Sequence, residues 1–557
     1  MITGISIENF KGIGERIELP LRPITLMFGA NSAGKSSVMH AMHYARDVFE
    51  RHNLDPDQTL AGGDAIDMGG FRSLVHNHDT NRIIRLGFTV SLIRQHEDIY
   101  VYMDGVHEFL QFERWSTGWP DTFGELGNYQ ATLAVSWSAR NERPYVSELT
   151  ISDSGEPLAE IASDPDGRRV TLALNANHPR LTKLNEWDAH PSEPDCPSET
   201  SADVFEDPER SCLSECLPAF CQMFKTTDDG AFFLEGLDDA LIDPDQDLPF
   251  VPRDPEDVDL GDTFESESLA RRFARDMIEG IGRMILPPLQ QVVADLSRLR
   301  YLGPIRQTPP RDYQPPRFAD SARWSTGLGA WDALHDGTEN FVEEVADWLG
   351  DEDKLNSGYR VERRRYVEID QANPLIRQLL NSRAFDECDE DARPTRSDLS
   401  PQTRVVVTRC ATGLELCPHD VGIGISQVVP VVVTALLDEG RLLAIEQPEL
   451  HLHPKLQAEL GDLFIMAACG ERRHNVIIET HSELIPLRLM RRIRESHDGT
   501  AEASRPKITS NDVAIHYIEA YEGRTVATPL ELSRRGQLLD PWPDGFFEEG
   551  FRERFSE

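Results

Sequence analysis

Ile24-Thr-Leu-Met-Phe28, followed by Gly29-Ala-Asn-Ser-Ala-Gly34-Lys35-Ser36-Ser37, is the stretch on which the fold turns. A short buried-strand pattern runs into a loop with a glycine at each end, and a helical pattern follows from Lys35 to about Glu50. This is GxxxxGK[ST] in the strand, loop, helix order that gives the pattern its meaning. The chemistry explains the residue types. Glycines let backbone N–H groups wrap a phosphate chain, and the helix N-terminus favours its negative charge. Lys35 is placed to pair with the β- and γ-phosphates, and the Ser36 hydroxyl to ligate Mg²⁺. The expected nucleotide-binding residues are therefore Gly29, Asn31, Ser32, Ala33, Gly34, Lys35, Ser36 and Ser37, with ATP and Mg²⁺ as the ligands.

Three later stretches extend the reading. Leu442-Leu-Ala-Ile-Glu446-Gln447-Pro-Glu449 is an apolar strand with an acid at its end, where a carboxylate can hold Mg²⁺, usually through water. A core strand with an exposed acidic tip would look the same. Asp420-Val-Gly-Ile-Gly-Ile-Ser426-Gln427 precedes a helix expected to start near Val428. A glycine-rich turn, a serine and a helix start make a second anion site. A chain with two such sites can close head-to-tail as a homodimer, each second site completing the partner's first. Asn475-Val-Ile-Ile-Glu479-Thr-His481-Ser482 is a strand ending in a histidine able to reach a γ-phosphate or an attacking water.

The 557 residues carry a formal net charge of −40, with 39% hydrophobic residues, so a large core is available while the surface repels nucleic acid on average. DNA contact would need local basic patches. The candidates are Arg363, Arg364 and Arg365, and Arg488, Arg491, Arg492 and Arg494; ordinary solvated faces are the simpler reading. No signal peptide is evident, and the longest apolar run, Val428 to Leu437, is too short for about 30 Å of hydrocarbon. A cytoplasmic protein without a membrane span is expected. The eight cysteines then read as free thiols, with zinc at Cys212, Cys216 and Cys221 a lesser alternative.

Strand alternation marks Ile2 to Ile7, Ile83 to Leu92, Ile99 to Met103, Ala131 to Trp137 and Val170 to Leu174. Acidic, Pro-rich stretches at Asn185 to Glu209 and Ile242 to Asp262 read as solvated, and an apolar stripe predicts a helix from about Ser266 to Leu299. The ends together form one α/β domain split by an insertion. Residues 1–180 are expected to be an N-terminal ATPase lobe with an antiparallel β subdomain, 181–400 a mainly helical, acidic insertion, and 401–557 a C-terminal ATPase lobe.

ENFKG (Glu8 to Gly12), GANSAGKSS (Gly29 to Ser37), YLGPIR (Tyr301 to Arg306), DVGIGISQ (Asp420 to Gln427), AIEQPELHLHP (Ala444 to Pro454) and ETHSE (Glu479 to Glu483) stand in this order. The set resembles the ABC-type ATPases of the OLD, RecF and SMC lineage. It is most similar to OLD-like AAA ATPases, some of which serve in phage defence, such as the Septu and Gabija ATPases. WPDGFF (Trp542 to Phe547) looks like the C-terminal signature of one branch.

The resemblance implies an ABC-ATPase head, a P-loop NTPase. It makes Gly29, Gly34, Lys35 and Ser36 Walker A, Ser426 part of a signature acting in trans, Glu446 the Walker B acid with Ser36 on the metal, and His481 the switch histidine. His451 and His453 fall on the D-loop, where a dimer-interface role outweighs metal binding. Gln447 occupies the place of the usual catalytic glutamate. An amide orients water but takes no proton, so hydrolysis is slow or relies on Glu449.

No Q-loop glutamine stands out before residue 180. The segment after His481 is too short for a TOPRIM nuclease, so any nuclease would be a separate effector protein. The function expected is an ATPase dimer that switches a phage-defence or nucleic-acid-associated partner. A non-hydrolysing ATP-dependent scaffold and a RecF-like DNA repair ATPase are the alternatives.

Overall fold

A computed structural model describes residues 1–30, 33–51, 53–56, 66–92, 127–165, 170–175, 178–179, 285, 287–317, 321–367, 401–437, 441–502, 505–521 and 524–543. The chain divides into two compact, interleaved units. The first holds Met1–Arg22, Gly29–Leu299 and His516–Pro529; the second holds Pro23–Phe28, Arg300–Ile515 and Leu530–Glu557.

In chain order the strands that matter first are β1 (Ile2–Glu8), β2 (Ile17–Pro20), β3 (Ile24–Phe28), β4 (Ile84–Leu92), β5 (Gly127–Ser138), β6 (Arg143–Asp153), β7 (Glu156–Ser163) and β8 (Val170–Leu174). Helix α1 (Lys35–Arg51) follows β3 through the glycine loop. In the first unit, β2-β1-β4-β5-β6-β7-β8 form a seven-stranded antiparallel sheet, with Ile5 opposite both Leu19 and Phe88. Sequence alternation located β1, β4 and β5 because each buries alternate or near-continuous apolar positions; β8 also forms where alternation places it. The expected strand at Ile99 to Met103 lies outside the described residues.

The second unit continues with β9 (Arg300–Leu302), α2 (Leu328–Asp336), α3 (Glu339–Gly350), β10 (Tyr359–Val367), β11 (Pro401–Arg409), β12 (Leu414–Leu416), α4 (Ile423–Ala435), β13 (Leu442–Glu446), α5 (Pro454–Cys469), β14 (Asn475–Glu479) and α6 (Leu484–Asp498). Strands β3, β14, β13 and β9 are all parallel, in register Met27↔Glu479, Glu446↔Glu479 and Ile445↔Leu302. Every residue of β3, β13 and β14 is buried, as parallel strands covered on both faces require. Strands β10, β11 and β12 form a small antiparallel sheet. Last come β15 (Val513–Tyr521) and β16 (Arg524–Leu530).

The structure redraws several expectations. Residues 300–367 fall in the second unit, and β9 lies beside β13. Helix α4 begins at Ile423, five residues before the expected Val428, because the glycine turn forms its first turn. It is buried continuously from Ser426 to Ala435, an all-round apolar core helix, and Pro430 sits inside it while the Thr434 hydroxyl donates to the Pro430 carbonyl at 2.7 Å. Of the expected 266–299 helix, residues 287–297 are helical and the part before 285 lies outside the described residues. So do both acidic stretches and the candidate zinc cysteines. The three described cysteines, Cys410, Cys417 and Cys469, are free thiols. Among the described residues no helix is long and apolar enough to cross a membrane.

Candidate nucleotide site

In the first unit the loop after β3 owes its shape to two glycines. Gly29 has φ +139°, and a Cβ there would lie 1.7 Å from the Ile518 carbonyl oxygen. Gly34 has φ +106°, and its Cβ would meet the Thr525 hydroxyl at 3.0 Å. Both positions thus exclude side chains for conformational and steric reasons at once. The Lys35 ammonium is buried and donates to the carbonyls of Gly29 (3.1 Å) and Ala30 (2.8 Å), which holds it folded over the loop. Helix α1 carries no acid in its first turn, so nothing there opposes a bound anion. Ser36 and Ser37 are half-buried on that turn. Asn31 and Ser32 lie outside the described residues.

Thr525 of β16 was not legible as a site residue. Its buried hydroxyl lies 3.1 Å from the Ala33 carbonyl and 3.2 Å from the Gly12 carbonyl, tying the ENFKG turn to the phosphate loop. In the same turn the Lys11 ammonium donates to His40 Nδ1 on α1 at 2.7 Å. Burial and that neighbouring cation hold the His40 pKa down to about 3, so the imidazole is the neutral acceptor the bond needs.

In the second unit, parallel strands place Phe28, Glu446 and Glu479 at one edge, the C-terminal end at which open α/β sheets bind ligands. Glu446 is 5% exposed, and its Oε1 accepts a 2.8 Å hydrogen bond from the Tyr301 hydroxyl on β9. Burial and the nearby Glu446 and Glu479 push the Tyr301 pKa far up, so the phenol stays a donor. The next residue, Gln447, has φ +44° and donates its N–H to the Glu479 carbonyl at 2.7 Å. A non-glycine residue in that region stores backbone strain, and it sits at the turn that aims Glu446.

Glu449 is 9% exposed. Its Oε1 accepts the His481 N–H at 2.7 Å, whereas among the described residues Oε2 has no hydrogen-bond partner. Burial raises its pKa above the usual carboxylate range, against the opposing effect of that N–H and of Arg306. Glu449 and His481 are thus brought together.

Ser426, expected in a signature acting in trans, lies in the first turn of α4. It is 3% exposed, and its hydroxyl donates to the Ile423 carbonyl at 3.0 Å within the first turn of α4. The exposed residues at that helix start are Gly422 and Ile423, and no side chain caps it. The turn at His451 explains Gly424: a Cβ there would lie 2.7 Å from the His451 carbonyl oxygen. His451 has φ +63°, and His453 Nδ1 accepts from the Lys455 N–H as the cap of α5. Among the described residues no cluster of three or more His, Cys, Asp or Glu could hold a metal ion.

Six of the seven arginines of the basic patches, all but Arg494, are ion-paired among the described residues. Arg488, Arg492 and Arg505 converge on Asp462, with Glu459 and Glu495 completing the network. Arg491 pairs with Glu495. Arg363 and Arg365 pair with Glu339, and Arg364 with Glu362 and Glu415.

The fold is α/β, with β3, β14, β13 and β9 forming a parallel sheet in the second unit. Residues 327–488 match a family described as "AAA domain, putative AbiEii toxin, Type IV TA system". Residues 508–554 match a family described as a protein of unknown function (DUF3696), which covers the WPDGFF segment. No curated protein matches the chain in sequence. Three solved SMC head domains align along nearly all of it. One is bound to the C-winged helix domain of ScpA (10% identity, 96% of this chain and 98% of that chain, TM-score 0.33). Another, with an extended coiled coil, is bound to the C-terminal domain of ScpA derived from Pyrococcus furiosus (11%, 95% and 96%, 0.34). The third is from Thermotoga maritima (8%, 95% and 99%, 0.32). TM-scores of this size equate no residue of this chain with theirs.

Proposed function

We propose that this chain binds ATP with Mg²⁺ on the Gly29–Ser37 loop, hydrolyses it, and closes around it as a homodimer that switches a partner protein. The observation that carries the reading is the loop itself: two glycines at positive φ, a buried Lys35 and an acid-free helix start, entered from the C-terminal end of β3. The donor set suits the ligand. Lys35 and the loop amides would hold the phosphates, and the sequence motifs name Ser36 and Glu446 as the Mg²⁺ ligands; the ion would supply charge neutralisation to the bound phosphates. Glu449, rather than Gln447, is the proton acceptor in this reading, because it is a carboxylate with an unpartnered oxygen and a raised pKa.

Tyr301→Phe removes one hydrogen bond to a charged group, worth about 1.5 kcal/mol, so Mg²⁺-dependent turnover is expected to fall about tenfold. A Mg²⁺ titration of ATP hydrolysis checks this, with half-saturation moving to higher Mg²⁺.

The dimer rests on the exposed start of α4. Ile423 is 57% exposed there. Ile423→Glu is the discriminating variant: a carboxylate at a helix start stabilises the isolated helix, yet it would stand where the partner's triphosphate is proposed to lie. Single-chain ATP affinity is expected to stay within about twofold, while ATP-driven dimerisation weakens about 100-fold or more. Nucleotide-driven dimers persisting in Ile423→Glu would refute the sandwich. Ser426→Arg would be a poor test, since a buried arginine would disturb the core.

A protein partner is favoured over nucleic acid by the net charge of −40 and by the ion pairing of both arginine clusters. An OLD-like defence role with a separate nuclease is the specific form of that reading. Gln447 favours a second reading, an ATP-dependent scaffold without turnover. Turnover indistinguishable from buffer would select it.

A further inference from the structure

The YLGPIR segment contains a buried guanidinium that the nucleotide chemistry above does not use. Arg306 is 2% exposed. A buried arginine ordinarily sits against a carboxylate. Among the described residues Arg306 makes no ion pair, and its head donates to main-chain carbonyls instead. Nη2 reaches the carbonyls of Glu446 at 2.5 Å and Gln447 at 3.2 Å, and Nη1 reaches that of Gln427 at 3.5 Å. Gln427 answers with its side chain. Its Oε1 accepts the Arg306 N–H at 3.0 Å, and its Nε2 donates to the Arg306 carbonyl at 2.6 Å.

The clasp is held rigidly. Gly303 N–H donates to the Ser325 carbonyl at 2.9 Å and Gln307 N–H to the Thr326 carbonyl at 2.7 Å, pinning the segment on both sides of Arg306. Gly327, at φ +79°, leaves room for it, since a Cβ there would lie 3.0 Å from Arg306 Cβ and 3.4 Å from Pro430 Cβ. One side chain therefore joins the first turns of α4 to the turn after β13, where Gln447 takes its strained conformation.

We propose, resting on the dimer reading above, that Arg306 clasped by Gln427 is a positioning residue that couples the two ATP sites of the dimer. In a head-to-tail closure the Glu446 turn serves the chain's own nucleotide, and the start of α4 serves the partner's. A rigid link between them makes occupancy of one site set the geometry of the other. Such coupling gives a turnover that rises cooperatively with ATP, with a Hill coefficient of up to about 2 for two sites.

The experiment compares wild type, Gln427→Met and Arg306→Lys as full chains. Gln427→Met keeps the volume and removes both clasp bonds; Arg306→Lys keeps the charge and loses the fork. Three readouts are taken: single-chain affinity for a fluorescent ATP analogue, turnover against ATP concentration, and the thermal midpoint. Gln427→Met is expected to keep analogue affinity within about twofold, lose about tenfold in kcat, and drop to a Hill coefficient of about 1, with Arg306→Lys intermediate. A folded Gln427→Met or Arg306→Lys with wild-type kcat and Hill coefficient overturns the coupling, as does a wild-type coefficient of 1. If Gln427→Met does not fold, Arg306→Lys decides by the same criteria. Failure of wild type to bind the analogue would instead refute the ATP reading, and the coupling with it.

Discussion

Lys35→Ala is expected to weaken ATP binding about 100-fold, the equivalent of two hydrogen bonds to charged groups at about 1.5 kcal/mol each. The effect is large because the Lys35 ammonium is buried and already faces the Gly29 and Ala30 carbonyls, with no acid in the first turn of α1 to share its charge. Removing it leaves the loop's N–H groups but takes away its only point charge. Equilibrium titration with a fluorescent ATP analogue reads the loss, and the thermal midpoint reports whether the two intraloop bonds mattered to folding. Wild-type affinity in a folded Lys35→Ala chain would remove Gly29–Ser37 as the nucleotide site.

Glu449→Gln is expected to lower turnover by 10²- to 10⁴-fold, the usual contribution of a positioned general base, while leaving ATP affinity nearly unchanged. The amide can still accept the His481 N–H at Oε1, so the geometry is retained. The same substitution has a stability signature of known sign. Burial raises the folded-state pKa of Glu449 above its unfolded value, so the folded chain binds the proton more tightly. Its contribution to stability is therefore full below the unfolded carboxylate pKa and declines as pH rises through the folded pKa. Glutamine has no charge to bury. The thermal midpoint of Glu449→Gln should exceed that of wild type at neutral pH, and the gap should close toward acid pH. Unaltered turnover would return the proton-accepting role to another group, and a pH-independent gap would show that the carboxyl is not penalised by burial.

The sequence made the phosphate loop and the acidic strand legible because each is contiguous and its physics is local. Lys35 and Glu446 are named by their neighbours in the chain. Tyr301 and Arg306 were visible only as part of a recurring string, without roles. Their partners lie more than a hundred positions away, and a three-residue strand such as β9 has no periodicity to reveal it. Thr525 is hidden for the same reason, since its contacts with Gly12 and Ala33 span nearly the whole chain. Ser426 differs. Its place in a glycine-rich turn at a helix start marked an anion site, while the side chain's own partner was hidden: three residues make almost one helical turn, and that brings the hydroxyl to the Ile423 carbonyl. The arginine clusters look basic in sequence and are neutralised in space, because Asp462 on α5 faces Arg488 and Arg492 on α6.

The central claim, ATP held on the Lys35 loop and enclosed by a dimer, is tested most directly by sedimentation velocity of the full chain with Mg²⁺ and a fluorescent ATP analogue, followed at the analogue's absorbance. The analogue is expected to sediment with the protein, one per chain, in a boundary at twice the mass of the nucleotide-free chain. An analogue that stays unsedimented at saturating concentration, or that sediments with a single chain only, would contradict it.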